Sequence, residues 1–210
     1  MDVLDAIRQR RSHRAFDPRP VEPEKIDLIL EAATWAPSPA NSQPWEFVVI
    51  TSEASRLKLH ELSERARSQG TIELHGYSYV RPMPFATLEE EEAERKKSLQ
   101  RYSFDFLKTV PAIIAVVGLP RTRVRPMPAG RIPDAYKYAC AAAIQNILLA
   151  AHSLALGSLW FTFFDQALVH QYLNLEPDKV VVALVCLGYT AGEPPAPTRY
   201  SVQSKTRHLD

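Results

Sequence analysis

Apolar and polar positions along the 210-residue chain fall into two rhythms, one helical and one of short unbroken apolar runs. Val3, Leu4 and Ile7 recur at helical spacing, so residues 2–10 read as a short helix with arginines at its C-terminal end, where they suit the dipole. Ile26, Ile29, Leu30 and Ala33 repeat the pattern over 23–35, behind Glu22, Pro23 and Glu24 at the N-terminal end. APSPANSQP (36–44) stops that helix, because its prolines cannot continue one. WEFVVI (45–50) predicts a buried strand, VPAIIAVVGL (110–119) a second and VVVALVCLGY (180–189) a third.

Between the first two strands, residues 53–68 look helical and 70–85 show no clean period, with Pro82 and Pro84 breaking it. Residues 87–108 read as one helix, acids first and bases later. The longest helix runs from an Asp134 cap to Gly157 as a left-handed C-cap. It is apolar on nearly every face, hence buried, and its alanines allow close approach of another helix or a subunit. SLWFTFF (158–164) reads as extended and 165–173 as a short helix. No linker divides the chain, so residues 1–210 form one α+β domain, with helices packed around a small central sheet.

Composition narrows the function. With 25 Lys+Arg against 24 Asp+Glu the net charge is +1, which gives no global field for nucleic acid or an acidic membrane. No stretch reaches membrane-spanning length and the start is not a signal peptide, so a cytoplasmic location is expected. Cys140 and Cys186 sit inside apolar runs and read as buried free thiols. GxGxxG, Walker and GxSxG motifs are absent. The six histidines form no HxxxH or CxxC pattern, so no metal site is expected. His152 reads as a satisfied core or interface side chain.

The chemistry concentrates in RRSHRAFDPRP (10–20), where Arg8, Arg10, Arg11 and Arg14 surround Ser12 and His13. Guanidinium forks match phosphate, and a serine hydroxyl adds a neutral donor. A solvated basic surface is the alternative for such a stretch taken alone. An anion cradle with no evident catalytic side chain fits an enzyme whose cofactor supplies the reactivity.

Three segments together resemble the nitroreductase-like FMN flavoproteins. They are residues 10–50, with the Arg-x-Ser-x-Arg cradle and the APS-x-x-N-x-QPW loop; residues 141–162, ending in Gly-Ser-x-Trp; and the tail, LGYTAGEPP followed by KTR. The resemblance implies an intertwined homodimer, built on a mixed or antiparallel sheet, with FMN at the subunit interface. Arg10, Arg11, Ser12 and Arg14 would hold the ribityl phosphate and chain, and Lys205 and Arg207 would complete the phosphate site. Pro37, Ser38, Pro39 and Asn41 would come from the other subunit, with Gln43 close by. Gly157, Ser158, Leu159 and Trp160 would approach the ring, placing a backbone N–H near the flavin N5. Trp45 is assigned to the core; for Trp160 core and site both stand, and for Gly157 helix cap and site.

The implied activity is that of an FMN-dependent NAD(P)H oxidoreductase. Hydride passes from NADH or NADPH through flavin N5 to a nitroaromatic, a quinone or a related acceptor, and no side chain is assigned a catalytic proton. The alternatives are a specialised flavoenzyme of the same fold (a dehalogenase, an enoate reductase or a flavin-fragmenting synthase) and a flavin-binding protein without turnover. Residues 70–108 would supply a variable lid, and 190–210 a C-terminal arm. The loop 121–133, with Arg121, Arg123 and Arg125, reads as a solvent-facing basic loop, the alternative being recognition of the NADPH phosphate or an acidic substrate.

Overall fold

The computed structural model describes residues 2–69, 102–120 and 134–209, together with Glu89, Glu90, Ala93 and Lys97, which are helical. Four strands form one sheet: β1 (Trp45–Ile50), β2 (Ala112–Gly118), β3 (Gly157–Phe161) and β4 (Val180–Gly188), in the order β1-β2-β4-β3. Every neighbouring pair is antiparallel. Trp45 faces Gly118 across β1 and β2, and Gly157 faces Gly188 across β3 and β4. A bulge between Val116 and Val117 shifts the β2–β4 register. The apolar runs become strands because β2 and β4 lie mid-sheet with both faces covered, so successive side chains are buried on alternate sides.

On one face pack α2 (Pro23–Thr34) and α5 (Ala135–Ser153), whose Ile29, Ala33, Ala143 and Ile147 meet Ile114, Val116 and Val185. The Asn146 side-chain amide donates to the Ala32 carbonyl at 2.9 Å and pins these helices together. Trp45 is buried in this cluster, as its apolar setting predicts. The opposite face is covered by α3 (Glu53–Gln69), α4 (Phe106–Thr109) and α6 (Gln166–Tyr172). Leu59, Leu107 and Val169 there pack with Ile113, Phe161, Phe164 and Leu184. Each such large side chain, fully buried, stabilises the fold by about 1.5–3 kcal/mol.

Several local expectations are corrected. α1 (Val3–Gln9) is capped by Asp2, which accepts the Leu4 amide at 2.9 Å, but it buries only Ala6; Val3, Leu4 and Ile7 are exposed. The helix expected over 87–108 is not continuous: residues 102–104 are non-helical and α4 is separate. Asp134 starts α5 from a left-handed conformation without capping it, and its carboxylate pairs instead with Lys137 at 3.1 Å. α5 ends at Ser153, not at Gly157. The left-handed residue is Ala155 (φ 59°); the Leu156 amide donates to the Ala151 carbonyl at 2.9 Å and the Ala155 amide to the His152 carbonyl at 3.1 Å. This is a Schellman ending, made with alanine where glycine is usual.

Both cysteines are buried free thiols. Burial pushes the Cys140 thiol up to about 12 and the Cys186 thiol higher still. No helix among the described residues is long and apolar enough to cross a membrane, and no cluster of three or more metal-ligating side chains occurs among them. Most of the expected lid (70–108) and nearly all of the basic loop 121–133 lie outside the described residues.

Candidate functional site

The segment after α1 runs extended along the open edge of the sheet. Ser12 pairs with Ser158 in a parallel bridge, and the His13 amide donates to the Ser158 carbonyl at 3.0 Å. Further on, Phe16 bridges Thr190, the Asp17 amide donates to the Tyr189 carbonyl at 2.9 Å, and the Ala191 amide returns to the Ala15 carbonyl at 3.1 Å. Residues 12–17 are thus threaded between the start of β3 and the exit from β4. Extended backbone alternates its side chains: Ser12 and Arg14 face outward, while His13 is buried.

Arg10, Arg11 and Arg199 act on one another electrostatically, and Glu193 is an acid whose charge reaches the neighbouring His13. None of Arg8, Arg10, Arg11, Arg14, Arg199, Lys205 and Arg207 makes an ion pair among the described residues. Arg11 instead donates to the carbonyls of Arg8 (2.7 Å) and Arg10 (3.0 Å). Burial, followed by the neighbouring charges of Arg199 and Arg11, pushes the Arg10 guanidinium below its ordinary range. Arg199 was not among the residues the sequence pointed to, because it stands alone in a proline-rich tail. Lys205 lies with its ammonium 4.1 Å from the Tyr200 ring centroid, in the short 3-10 turn Gln203–Lys205.

Gly157, Ser158 and Leu159 are buried, and Trp160 is 37% exposed. Leu159 points into the aromatic cluster behind the sheet, so only its backbone is on offer to a ligand. Among the described residues the buried Ser158 hydroxyl has no hydrogen-bond partner, an expensive omission in a native site. Gly157 is required by close approach: a Cβ there would lie 2.9 Å from His13 Cγ and would overlap the Thr190 methyl. His152 is half-buried, and among the described residues its Nε2 has no hydrogen-bond partner.

The loop 36–44 is exposed at Pro37, Pro39, Asn41 and Gln43. Ala40 (φ 51°), Asn41 (φ 52°) and Gln43 (φ 44°) all adopt left-handed backbone conformations. Each non-glycine in that region costs about 1–2 kcal/mol, and such strain concentrates where a backbone is shaped for a ligand. Ser38 Oγ accepts the Gln43 amide at 2.9 Å and closes the loop on itself. Trp35, just before it, is 80% exposed.

Comparison with known proteins gives the family and the fold. The sequence profile of the nitroreductase family matches residues 7–189. The chain belongs to the nitroreductase family. A nitrobenzene nitroreductase from Ectopseudomonas oleovorans is 30% identical over 201 residues, 89% of this chain and 86% of that protein. A 5,6-dimethylbenzimidazole synthase from Rhodospirillum rubrum is 28% identical over 99% of this chain and 92% of its own. Among solved structures, a candidate nitroreductase from Desulfovibrio desulfuricans, in complex with FMN, superposes with a TM-score of 0.70. It is 27% identical to this nitroreductase-family chain, covering 100% of it and 98% of its own length. The antiparallel sheet and flanking helices are those of this fold.

Proposed function

We propose that the protein is an FMN-dependent NAD(P)H oxidoreductase of the nitroreductase type, active as a homodimer with FMN at the subunit interface. The observation that carries the reading is the Ser12–Ser158 bridge, which sets the arginine cradle beside the start of β3 in a chain of this family. The residues fit the cofactor. Unpaired cations from both ends of the chain suit a phosphate dianion, and the partnerless Ser158 hydroxyl and the left-handed loop suit a polar ligand with a long chain.

In this reading Arg10, Arg11, Ser12 and Arg14 bind the phosphate and the ribityl chain, and Lys205 and Arg207 complete the phosphate site. Pro37, Ser38, Pro39, Asn41 and Gln43 shape the wall that each subunit presents to the other's cofactor. The backbone of Gly157, Ser158 and Leu159 and the exposed Trp160 form the flat surface against the ring. Exposed Val3, Leu4, Ile7, Trp35 and Tyr138 supply apolar surface that a second subunit would cover. Bound there, FMN would supply hydride acceptance from NADH or NADPH and its delivery to a nitroaromatic, a quinone or a related acceptor. The chain's own work is orientation, exclusion of water and a positive potential around an anionic cofactor.

An absorbance spectrum of the purified protein, taken before and after anaerobic NADH and then NADPH, tests this. Flavin bands that bleach support the reading and name the reductant; a protein that stays colourless after incubation with FMN overturns it. The Rhodospirillum rubrum relative favours a second reading, a specialised flavoenzyme of the same fold. Its mark would be consumption of the flavin itself, with oxygen, in place of repeated turnover.

A further inference from the structure

We propose that the gap between α2, the end of β1 and the start of α3 is a second ligand site, which takes a monocarboxylic acid with an apolar body and holds its carboxylate at Arg56. A cavity of about 530 Å³ opens there, within the size range of small-molecule sites. It shares no residue with the proposed cofactor site. Pro18 and Pro20 wall it from the extended stretch before α2, Pro23 from the first turn of α2, and Pro111 from the entry to β2. A proline ring has no long side chain to swing across such a gap, so the space persists. Leu30 of α2 and Val49 of β1 add apolar surface, and Val49 is 40% exposed.

The positive charge in this lining is Arg56, from the first turn of α3. Its Nη1 donates to the carbonyls of Lys108 (3.1 Å) and Val110 (2.8 Å), at and just beyond the end of α4, so the guanidinium is fixed in place. Among the described residues its Nε is buried without a hydrogen-bond partner, and it pairs with no carboxylate. Two carbonyl dipoles occupy one nitrogen and leave the net charge without a counter-ion. Holding the end of α4 accounts for that nitrogen and not for a half-buried, uncompensated guanidinium beside an apolar cavity. A carboxylate in the cavity would supply the missing charge through charge-assisted hydrogen bonds.

The rest of the lining sets the ligand's class. Asp27 of α2 is its one acid, and the Asp27 carboxylate makes no ion pair among the described residues. A ligand with a second negative charge would meet that carboxylate or apolar walls, so the site selects a monoanion over dicarboxylates and phosphate esters. The apolar walls select for the body: each methylene they cover raises affinity by up to about fourfold.

Calorimetric titration of the full chain tests this, with octanoate as the probe and 1-octanol and suberate, its uncharged and doubly charged counterparts, as controls. At about pH 8, where the acid is fully ionised, octanoate should bind roughly tenfold more tightly than either control and should raise the melting temperature. Arg56→Gln, still able to donate to the α4 carbonyls, should weaken octanoate binding roughly tenfold. Asp27→Asn should narrow the gap between octanoate and suberate. Val49→Trp fills the cavity from its exposed side and should abolish binding; it decides the matter if Arg56→Gln does not fold. The absence of octanoate binding, as when a second copy of the chain covers the gap, would overturn the proposal. So would equal affinity for octanoate and 1-octanol, or wild-type octanoate affinity in Val49→Trp. The titration needs no flavin, so failure of the FMN reading would leave this site standing.

Discussion

Gly157 and His13 are in contact so close that glycine has no substitute: a Cβ on Gly157 would lie 2.9 Å from the imidazole Cγ. The neighbours cannot yield easily, because His13 is buried and Thr190 is bridged to Phe16. Gly157→Ala should destabilise the protein by about 1–3 kcal/mol, the usual cost of overpacking. Urea unfolding measures the loss, and flavin retention should fall with it.

Two residues earlier the sign reverses. Ala155 holds the left-handed position that ends α5. Ala155→Gly should stabilise the fold by about 0.5–1 kcal/mol, since relief of the Cβ clash outweighs the added chain entropy. A thermal melt in which Ala155→Gly and Gly157→Ala move the same way would refute this account of the turn.

Arg14→Ala and Arg207→Ala should weaken FMN binding by about 2–5 kcal/mol while leaving the melting temperature of the apo-protein nearly unchanged. Both side chains are exposed and make no ion pair among the described residues, so the apo fold has little to lose. Flavin fluorescence titration and calorimetry on the same samples separate the two effects.

Acid should act on α4. Lys108, whose ammonium is 2.6 Å from Asp105, and then the Ser103 hydroxyl hold the Asp105 carboxyl down to about 2. A depressed carboxylate contributes stability that is present above its ordinary value and lost as pH falls through the folded one. Asp105→Asn should remove that part of the acid transition between about pH 4 and pH 2, leaving stability near neutrality changed only slightly, as for other exposed pairs. Circular dichroism across the range reads it.

Cys140 and Cys186 should resist alkylation by iodoacetamide in the native protein near neutral pH and react once urea unfolds it. Their burial both blocks access and keeps the thiols protonated. Mass spectrometry of the two samples counts the labels.

Much of this was legible in the sequence where one physical signal dominates. VPAIIAVVGL and VVVALVCLGY are strands because unbroken apolar runs of that length need cover on both faces, and they receive it. WEFVVI is a strand too, but at the sheet edge, where only Trp45 and Ile50 are buried and Val49 is exposed, so the buried strand expected there is corrected. The cluster Arg8, Arg10, Arg11 and Arg14 stands out in the sequence because it holds no acid, and its phosphate-binding role is part of the proposed function. Less legible was whatever depends on who meets whom. Gly157 follows Leu-Ala-Leu at the end of a long helix and resembles a cap, since nothing local shows that Ala155 takes the strained position. Val3, Leu4 and Ile7 spell a core-facing stripe, yet they are exposed in the single chain. His13 is lost among arginines unless the stretch is taken as extended, when alternation turns Ser12 and Arg14 one way and His13 the other. Arg199, alone between prolines, carries no local signal.

The pairing of residues 12–17 with residues 158 and 189–191 has a consequence for synthesis. Contacts this far apart in sequence incur the full entropy of closing the chain, so they form after the local helices and hairpins. The arginine cradle is synthesised before the strand edge and residues 189–191 that pair with it. On the proposed FMN reading, cofactor capture is expected only after residues 189–191 have been made, and translation stalled before residue 190 should yield a chain that holds no flavin.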